Sequence, residues 1–401
     1  MREGWMYKKL PDVLWFQEGP GVRKHQYRET GVKLINVANL VHGKVDLTTS
    51  KRYISEEEAY GKYSHFMIDA GDFIIASSGI QVETMDEKCG FIQEWQLPLC
   101  MNTSTIRFKS LDSKQLDIKF FSYFVKSAIY KDQIEKLITG IAQLNFGPSH
   151  LKKVQIPIPP LTTQQQIVSE LDLLSHILDQ KRQQLKEYDA LAESIFYDMF
   201  GDESKFKKEK LVKLTTKIGS GATPKGGNQA YKDEGISLIR SLNVHNAEFK
   251  YEDLAHIDEE QAAALNNVTL EKNDVLFNIT GASVTRCCIV PENVLPARVN
   301  QHVAILRPCT EVLNYIFLSH LLISSHYHDK LYALSRSNGA TREAITKAQL
   351  ENFVIPLPPL DLQRSFASKI ESIEHQKQLL RASIKETEML FQSRMDYWFN
   401  G

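Results

Sequence analysis

The sequence lacks several features that would quickly assign a chain to a class of protein. Its 401 residues include five cysteines, none of them in a C-x-x-C spacing. An odd number of cysteines without this spacing favours reduced thiols and argues against a structural zinc site. No apolar run is long enough to cross a membrane, and the segment beginning Met1-Arg2-Glu3-Gly4-Trp5 lacks the apolar stretch of a signal peptide. We therefore expect a cytoplasmic protein that makes no contact with a membrane.

A basic excess is also missing, since 48 lysines and arginines face 49 aspartates and glutamates and the net charge is -1. Proteins that bind nucleic acid alone usually carry a clear positive excess. A role on DNA would therefore need local basic loops or partner subunits that supply phosphate contacts. The 42% hydrophobic and 24% charged content is that of a globular protein, and the length predicts two or three domains.

What the sequence does contain is a copy of itself. The hexamer Ile156-Pro-Ile-Pro-Pro-Leu161 recurs as Ile355-Pro-Leu-Pro-Pro-Leu360, 199 residues later. A long stretch without proline or internal glycine follows each copy. Because proline restricts the residue before it and cannot continue a helix, each hexamer is predicted to be an extended lead-in to one long helix.

Both predicted helices carry apolar residues at alternating spacings of four and three, the pattern of a coiled-coil seam. The first seam comprises Ile167, Leu171, Leu174, Leu178, Leu185, Tyr188, Ala192, Ile195 and Met199, and the second comprises Phe366, Ile370, Ile373, Leu380, Ile384, Phe391 and Trp398. Lys181 interrupts the first seam, and Lys377 and Thr387 interrupt the second. We expect the helices to pair antiparallel as a rod of roughly 57 Å, suited to holding two objects a fixed distance apart. An ordinary pair of core helices is the alternative.

The segments before the hexamers repeat as well. Leu10 to Gly31 aligns with Leu214 to Gly235, and Gly71 to Gly79 aligns with Asn273 to Gly281. Each half contains short strand-type runs between Gly, Asn and Pro turns, followed by a predicted helix, near Ile118 to Leu137 in the first half and Asn314 to Leu334 in the second.

These patterns predict an α+β fold with a mixed or mostly antiparallel sheet in each half. We expect two similar α/β domains, residues 1–155 and 203–354, and two helical regions, residues 156–202 and 355–401. The polar run Gly201 to Lys205 marks the boundary between the halves. The two halves would be related by a pseudo-two-fold axis.

The loop Gly219 to Asn228 is rich in glycine and contains Thr223, Pro224 and Lys225. It is not a P-loop, because the order G-x-x-x-x-G-K-[ST] fails and Pro224 interrupts it. Its backbone N–H groups and Lys225 suit contacts with a DNA backbone or base. A plain mobile turn is the alternative.

Donor-rich side chains of the kind that read bases in a major groove lie in and after this loop. In the second half the candidate DNA-binding residues are Thr223, Lys225, Asn228, Tyr231, Arg240, Asn243, Asn278, Thr280, Ser283, Thr285 and Arg286. In the first half they are Arg23, Lys24, His25, Arg28, Asn36, Asn39, Ser77, Ser78 and Gln81. For each of them taken alone, a solvated loop residue without function is the alternative.

The patterns for catalysis are weaker. The [DNS]-P-P-[YFW] tetrapeptide of amino-methyltransferases is absent, because leucine follows both Pro-Pro pairs. Glu203-Ser-Lys205 has the spacing of metal-dependent nucleases but lies in the predicted linker. His326 and His328 have no third ligand in view and are expected to be surface residues. We therefore expect no catalytic residue, no metal and no cofactor in this chain.

The two hexamers, each opening a long helix with a glutamine shortly after it, resemble the two conserved regions of the DNA-specificity subunit of type I restriction-modification systems. The second half is similar to the target-recognition domain of that family at Gly221-Ala-Thr-Pro224, Tyr231, Ile236 to Leu242, Asn273 to Gly281, Asn300 to Arg307 and Asn338-Gly-Ala-Thr341. The first half departs from the pattern, since it has Glu18-Gly-Pro20 and Gly140-Ile-Ala-Gln143 at the corresponding loop and turn.

The resemblance implies a non-enzymatic subunit whose two target-recognition domains each read one half of a bipartite site in double-stranded DNA. It implies that the helices set the spacer and dock two methyltransferase subunits, which modify adenine with S-adenosylmethionine. Restriction and motor subunits would join through the methyltransferase subunits. A single-chain DNA-modifying enzyme with tandem recognition domains and a duplicated scaffold that binds only protein are the alternatives.

Overall fold

A computed structural model describes residues 4–81, 83–138, 144–224, 227–337 and 343–400. The chain forms two compact units. Unit 1 comprises Met1–Lys181 and Ser383–Gly401, and unit 2 comprises Arg182–Ala382. Each unit therefore combines the sheet-forming part of one half of the chain with part of each long helix.

Unit 1 opens with short strands that lead into the first long helix, and it also contains the last part of the second long helix. Its strands are β1 (Met6–Lys9), β2 (Leu14–Glu18), β3 (Val32–Ile35), β4 (Leu40–Val41), β5 (Lys44–Val45), β6 (Tyr53–Ile54), β7 (Phe73–Ala76), β8 (Ser78–Ile80), β9 (Cys89–Phe91), β10 (Leu99–Met101), β11 (Thr105–Ser110), β12 (Leu144–Asn145) and β13 (Gln155–Ile158). Its helices are α1 (Glu56–Tyr60), α2 (Ile118–Lys126), α3 (Ala128–Leu137), α4 (Pro148–Leu151) and the first part of α5 (Leu161–Phe200).

Unit 2 repeats this order after the end of α5. Its strands are β14 (Lys207–Lys210), β15 (Thr215–Ser220), β16 (Ile236–Ile239), β17 (Val244–His245), β18 (Glu248–Phe249), β19 (Ala255–Ile257), β20 (Val275–Asn278), β21 (Cys287–Ile289), β22 (Ala297–Val299), β23 (Val303–Pro308) and β24 (Val354–Leu357). Its helices are α6 (Leu211–Leu214), α7 (Glu259–Ala264), α8 (Tyr315–Ile323), α9 (Ser325–Arg336), α10 (Lys347–Asn352) and the first part of α11 (Leu360–Asn400). It also contains the last part of α5.

The two units are built on the same pair of sheets. The larger sheet is antiparallel, with the order β2-β11-β7-β9 in unit 1 and β15-β23-β20-β21 in unit 2. The smaller sheet has three strands in the order β10-β3-β6 in unit 1 and β19-β16-β22 in unit 2. In it β3 pairs parallel with β10, and β16 pairs parallel with β22. The predicted α+β fold with mixed sheets and an internal repeat is confirmed.

One inner strand of each larger sheet, β7 in unit 1 and β20 in unit 2, is mainly apolar because both of its faces are covered. Every residue of β7 and of β20 is buried. On one face of β7, Phe73 lies edge-on to Phe121 of α2, with ring centroids 5.9 Å apart. In unit 2, Phe277 of β20 belongs to the same buried cluster as Phe317 of α8. Continuous apolar runs of this length are why these strands could be located from the sequence.

The helix predicted near Ile118 to Leu137 is two helices, α2 and α3, and the one predicted near Asn314 to Leu334 is likewise divided into α8 and α9. Ser127 and Ser324 stand at the breaks with extended backbone. The hydroxyl of each serine donates to a carbonyl of the turn before it, Phe124 at 2.6 Å and Leu321 at 2.7 Å respectively. Serine competes in this way with helix hydrogen bonds, so the single-helix prediction was wrong.

The proline hexamers have the predicted extended conformation. The first contributes to β13, which pairs antiparallel with β1, and the second contributes to β24, which pairs antiparallel with β14. The long helices α5 and α11 then begin at Leu161 and Leu360. The first three residues of each hexamer therefore lie in a two-stranded sheet of their own unit, and its last residue is the first residue of the long helix.

Within each unit, α5 and α11 run antiparallel. In unit 1, Glu170 pairs with Arg394, and Lys181 donates to Thr387 at 2.7 Å. In unit 2, Lys377 pairs with Asp189 at 2.7 Å, and farther along α5 Phe196 meets Phe366 with ring centroids 5.7 Å apart. In each unit the residue numbers of the contacts increase along α5 and decrease along α11, as the predicted antiparallel pairing requires. No helix in the described ranges is both long enough and apolar enough to span a lipid bilayer.

Candidate nucleic-acid interface

In unit 2, three loops meet at one edge of the larger sheet. The end of β15 pairs with the start of β23, because Ser220 lies opposite Ala304. The end of β20 also pairs with the start of β23, because Asn278 lies opposite Val303. The loops after β15, after β20 and before β23 therefore emerge side by side. We call residues 221–224, 279–286 and 300–302 the loop edge of unit 2.

Unit 1 has the same arrangement. Glu18 at the end of β2 lies opposite Ile106, and Ala76 at the end of β7 lies opposite Thr105. Residues 19–22, 77–81 and 102–104 therefore form the loop edge of unit 1. Burial raises the pKa of the Glu18 carboxyl beside this edge.

One glycine in each unit allows the first loop of the edge to approach the segment that precedes β23 in unit 2 or β11 in unit 1. A Cβ on Gly221 would lie 1.7 Å from the carbonyl oxygen of Val299, and a Cβ on Gly19 would lie 2.0 Å from that of Asn102. Any other residue would force the loops apart. The glycine that precedes the Thr-Pro run in the sequence is thus required by close packing.

Four side chains on the loop edge of unit 2 form a hydrogen-bonded chain. The hydroxyl of Thr223 donates to Oε1 of Gln301. Nε2 of Gln301 lies 3.0 Å from Nε2 of His302, and Nδ1 of His302 lies 2.6 Å from the hydroxyl of Thr280. The chain joins all three loops of the edge. Thr223 and Thr280 were predicted site residues, and the structure brings them together through two residues that were not among them.

Gln301 and His302 are the residues that prediction from the sequence missed. They belong to the run Asn300 to Arg307, one of the segments that carry the family resemblance. Gln301 is exposed and His302 is partly buried. Their position directly before a buried strand and after Asn300 was the signal that could have identified them.

Arg286 and Ser283 lie on the loop that leaves β20, and both side chains are partly exposed. The carbonyl of Arg286 accepts a hydrogen bond from the backbone N–H of Asn278 at 2.8 Å. The backbone N–H of Arg286 donates to the carbonyl of Ser283 at 3.2 Å. The loop is thus closed by its own backbone. Both residues remain candidates for contact with DNA.

Arg240 and Tyr231, two of the predicted site residues, pack against each other next to the smaller sheet. The Arg240 guanidinium lies 5.2 Å from the centre of the Tyr231 ring and donates to the carbonyl of Asp253. Its Nε is buried and has no hydrogen-bond partner within the described ranges. Arg240 therefore already holds its own loop, and only part of its donor capacity is available to a ligand.

Several predicted amide side chains are buried and bonded internally. Asn39 and Asn243 are 0% exposed. Each accepts from the backbone three residues earlier, Asn36 at 3.1 Å for Asn39 and Arg240 at 3.1 Å for Asn243. Their amide groups donate across the loop, to Asp46 at 2.9 Å and to Lys250 at 2.9 Å. These asparagines shape the loops, and the prediction that they reach DNA directly does not fit their burial.

The same correction applies to four more candidates. Asn278 is 0% exposed and donates to the carbonyl of Ser241 at 2.9 Å. Asn36 is 7% exposed and donates to Ser50 at 3.0 Å. Ser77 and Thr285 are each 1% exposed. Side chains this deep cannot touch a ligand outside the fold, because the loops above them would have to open.

The remaining candidates of the first half lie on the surface. Arg23, Lys24, His25, Arg28 and Gln81 are exposed, and Ser78 is partly exposed and bonded to Asn145. The basic residues surround a short turn, Lys24–Gln26, that is anchored by Gln26 on Glu58 at 2.7 Å. They form a local positive loop of the kind that the neutral net charge requires of a DNA-binding chain.

Asn228 lies in the short 3-10 helix Gly227–Ala230. Lys225 lies outside the described residues, as do the turns Asn338 to Thr341 and Gly140 to Gln143.

The weaker catalytic candidates have ordinary surface partners. Burial alone would raise the pKa of Glu203, but hydrogen bonds from Lys208 and Tyr327 and nearby lysine charges lower it overall. His326 lies 3.5 Å from the same carboxyl group, and His328 lies 3.3 Å from Asp329. Among the described residues, no three His, Cys, Asp or Glu side chains lie where they could share one metal ion.

The chain is similar to proteins of known type over most of its length. Residues 2–187 and 204–389 each match the family described as the type I restriction modification DNA specificity domain. The type I restriction enzyme MjaVIII specificity subunit of Methanocaldococcus jannaschii is 24% identical over 193 residues, which cover 48% of this chain and 44% of that protein. The putative type I restriction enzyme MjaX specificity subunit of the same organism is 21% identical over 412 residues, which cover 97% of this chain and 90% of that protein.

A solved structure has the same fold. The crystal structure of the type I restriction-modification system S subunit from M. genitalium aligns with a TM-score of 0.56 and 14% identity, over 98% of this chain and 96% of that one. Two matches to the family, one in each half, account for the repeat that the sequence and both units display. This chain belongs to the type I restriction modification DNA specificity domain family and carries its domain twice.

Proposed function

We propose that this chain is the specificity subunit of a type I restriction-modification complex and that each of its domains reads one half of a bipartite site in double-stranded DNA. The observation that carries the proposal is the doubling of the loop edge. Three corresponding loops emerge from the corresponding end of the larger sheet in each unit. Two similar but not identical reading surfaces in one chain suit an asymmetric site with two halves.

The long helices are proposed to set the spacer between the half-sites and to dock two methyltransferase subunits. Support comes from the residues that each helix contributes to both units. The helix α5 starts in unit 1 and ends in unit 2, and α11 starts in unit 2 and ends in unit 1. A helix of fixed length that is built into both domains would resist changes in their separation. Restriction and motor subunits would then join through the methyltransferase subunits.

The chain itself is proposed to perform no chemistry. Its relatives bear the name of specificity subunits. The net charge of -1 also favours a division of labour, because neighbouring subunits would supply most of the phosphate contacts. On this proposal the methyl donor binds to the methyltransferase subunits, and this chain selects the sequence on which they act.

The test is selection from a random duplex library by the purified chain together with the methyltransferase subunits of its own system. A bipartite motif with a fixed spacer is expected, and the sequenced methylation pattern should carry the same motif. Failure to select any sequence would contradict the proposal. Methylation or cleavage of DNA by the purified chain alone, with S-adenosylmethionine, ATP and Mg²⁺, would instead favour a single-chain enzyme.

A further inference from the structure

The backbone at Gln301 is held in place from beneath. Asn300, directly before it, is 4% exposed. The N–H of Asn300 donates to the carbonyl of Ile239 at 3.0 Å, and its side-chain oxygen accepts from the N–H of His302 at 3.0 Å. The N–H of Gly221 donates to the carbonyl of Asn300 at 3.1 Å. Gln301 therefore leaves a fixed turn, although its own side chain is exposed to solvent.

The side chain of Gln301 is oriented as well. Its Oε1 accepts from the hydroxyl of Thr223, and its Nε2 donates to Nε2 of His302. Since that imidazole nitrogen accepts, the proton of the neutral ring is on Nδ1, which donates to the hydroxyl of Thr280. Thr280 is fixed in turn, because its backbone forms an isolated β-bridge with Ala344. These partners hold the amide plane of Gln301 before any ligand arrives.

An amide group has two N–H donors and two acceptor lone pairs. Within the described ranges, Thr223 and His302 use one lone pair and one N–H of Gln301, which leaves one of each on an exposed side chain for a ligand. Adenine presents an acceptor at N7 and a donor at N6 in the major groove, and Gln makes a bidentate contact with this pair. We propose that Gln301 reads one adenine in the half-site of the second domain; this inference rests on the proposed function.

The other partners on a duplex fit less well. Guanine offers two acceptors in the major groove, and Gln301 has one free N–H to meet them. A phosphate oxygen only accepts, so it would leave the remaining lone pair of Gln301 unused. Cytosine offers a donor and could meet only that lone pair. Thymine offers one acceptor, O4, and could meet only the free N–H. Adenine is the one base that uses both remaining groups.

The corresponding turn of unit 1 has different chemistry. Asn102 occupies the place of Asn300, since its N–H donates to Ile35 at 3.0 Å and its side chain accepts from Thr103 at 2.9 Å. The next two residues are Thr103 and Ser104, so neither the amide nor the imidazole is present. The adenine contact is therefore expected in one half-site only.

The experiment uses the full chain assembled with the methyltransferase subunits of its system. The wild-type complex selects duplexes from a random library, and the motif is compared with those of Gln301→Ala and Gln301→Glu. Alanine is expected to make one adenine position degenerate and to weaken binding to the wild-type site by roughly 5- to 150-fold. Glutamate has only acceptors, so the preference at that position is expected to move from adenine to cytosine.

A second measurement removes the matching atom from the DNA. Replacing the selected adenine by 7-deazaadenine deletes the N7 acceptor and should weaken binding of the wild type but not of Gln301→Ala. Gln378→Ala, an exposed glutamine on α11, is the matched control and should keep the wild-type motif. Thr103→Ala should leave the half-site of the second domain unchanged.

The outcomes separate the two proposals. A wild-type motif that is unchanged in both Gln301 variants overturns the adenine contact and leaves the proposed function standing. A loss of affinity that is equal for all sequences also overturns it and makes Gln301 a backbone contact. If the wild-type complex selects no motif, the proposed function fails and the adenine contact fails with it.

Discussion

Gln164 and Gln363 make the same three hydrogen bonds in the two halves of the chain. Oε1 of Gln164 accepts from the N–H of Asp117 at 2.9 Å, and its amide donates to the carbonyls of Gln115 and Pro159, each at 2.9 Å. The corresponding partners of Gln363 are Asn314, Val312 and Pro358. Both glutamines are 0% exposed. Each glutamine joins the first turn of a long helix to its hexamer. It also joins that turn to the residues just before a helix of the same unit, α2 for Gln164 and α8 for Gln363.

Replacing Gln164 by leucine should destabilise unit 1. The change leaves a backbone N–H and two carbonyl groups buried without partners, and each unsatisfied group of this kind costs about 1 to 3 kcal/mol. We expect the free energy of unfolding, measured with urea on the full chain, to fall by at least that amount. Gln165→Leu is the matched control, because Gln165 is exposed on the same turn, and it should change stability by less than about 0.5 kcal/mol. Equal losses in the two variants would contradict the role assigned to Gln164.

The sequence predicted where these helices begin but not what holds them. Two proline hexamers and a continuous helical pattern were sufficient to locate α5 and α11 because they are local signals. The partners of Gln164 lie as far as 49 positions earlier in the chain, so no window of sequence contains the interaction. The sequence shows that Gln164 recurs as Gln363 in the repeat, but only the structure shows the hydrogen bonds that it makes.

Only part of the candidate interface could be predicted, because its loops follow from local sequence signals and the contacts between its loops do not. Strand ends and loops follow from apolar runs and turn residues, so Thr280, Ser283 and Arg286 were expected on a loop and are found there. Whether a loop side chain faces outward depends on bonds across the loop, and Asn243 turned inward to cap its own turn. The link between Thr223 and Gln301 spans 78 positions, which explains why Gln301 was missed.

Stability should fall as pH falls from about 6.5 towards 4 because of His320. Its ring packs edge-on to Phe366 and lines a cavity of about 270 Å³ together with Glu374 and Lys377. Burial and the charge of Lys377 lower the pKa of His320 from 6.5 to about 4. Below its ordinary pKa the unfolded chain binds a proton that the folded chain does not, so protonation favours unfolding in this window.

The check is urea unfolding of His320→Gln at pH 7 and pH 5. The wild type should lose about 1 to 2 kcal/mol more than the variant between these two pH values. Gln378→Ala, which removes an exposed side chain that does not titrate, should lose as much as the wild type. A His320→Gln slope equal to that of the wild type would show that His320 is not the group responsible.

Arg286 and Arg240 should differ when each is replaced by alanine. Arg286 lies on the loop edge of unit 2 and is proposed to contact DNA, so Arg286→Ala should relax selection at positions of one half-site and cost about 1 to 3 kcal/mol of binding if it contacts a base. Its unfolding should be unchanged. Arg240→Ala should also lower stability by about 1 kcal/mol, because Arg240 bonds to Asp253 and covers Tyr231.

Library selection and urea unfolding of the same proteins distinguish these effects. Arg364→Ala is the control, since Arg364 is exposed on α11 and pairs only with nearby Asp361 among the described contacts. A loss by Arg286→Ala that is the same for every sequence would make Arg286 a phosphate contact.

Lengthening both long helices by one heptad should lengthen the spacer and leave both half-sites unchanged. Lys181 on α5 faces Thr387 on α11 at 2.7 Å, so facing layers can be extended together by inserting seven residues after Leu178 and seven after Thr387. A whole heptad keeps the seam in phase and adds roughly 10 Å of helix. At about 3.4 Å per base pair, the spacer should grow by one to about three base pairs. Insertions of two residues rotate the seam out of phase and should abolish assembly with the methyltransferase subunits. A heptad variant that folds, assembles and still modifies sites with the original spacer would mean that the partner subunits, and not these helices, set the distance.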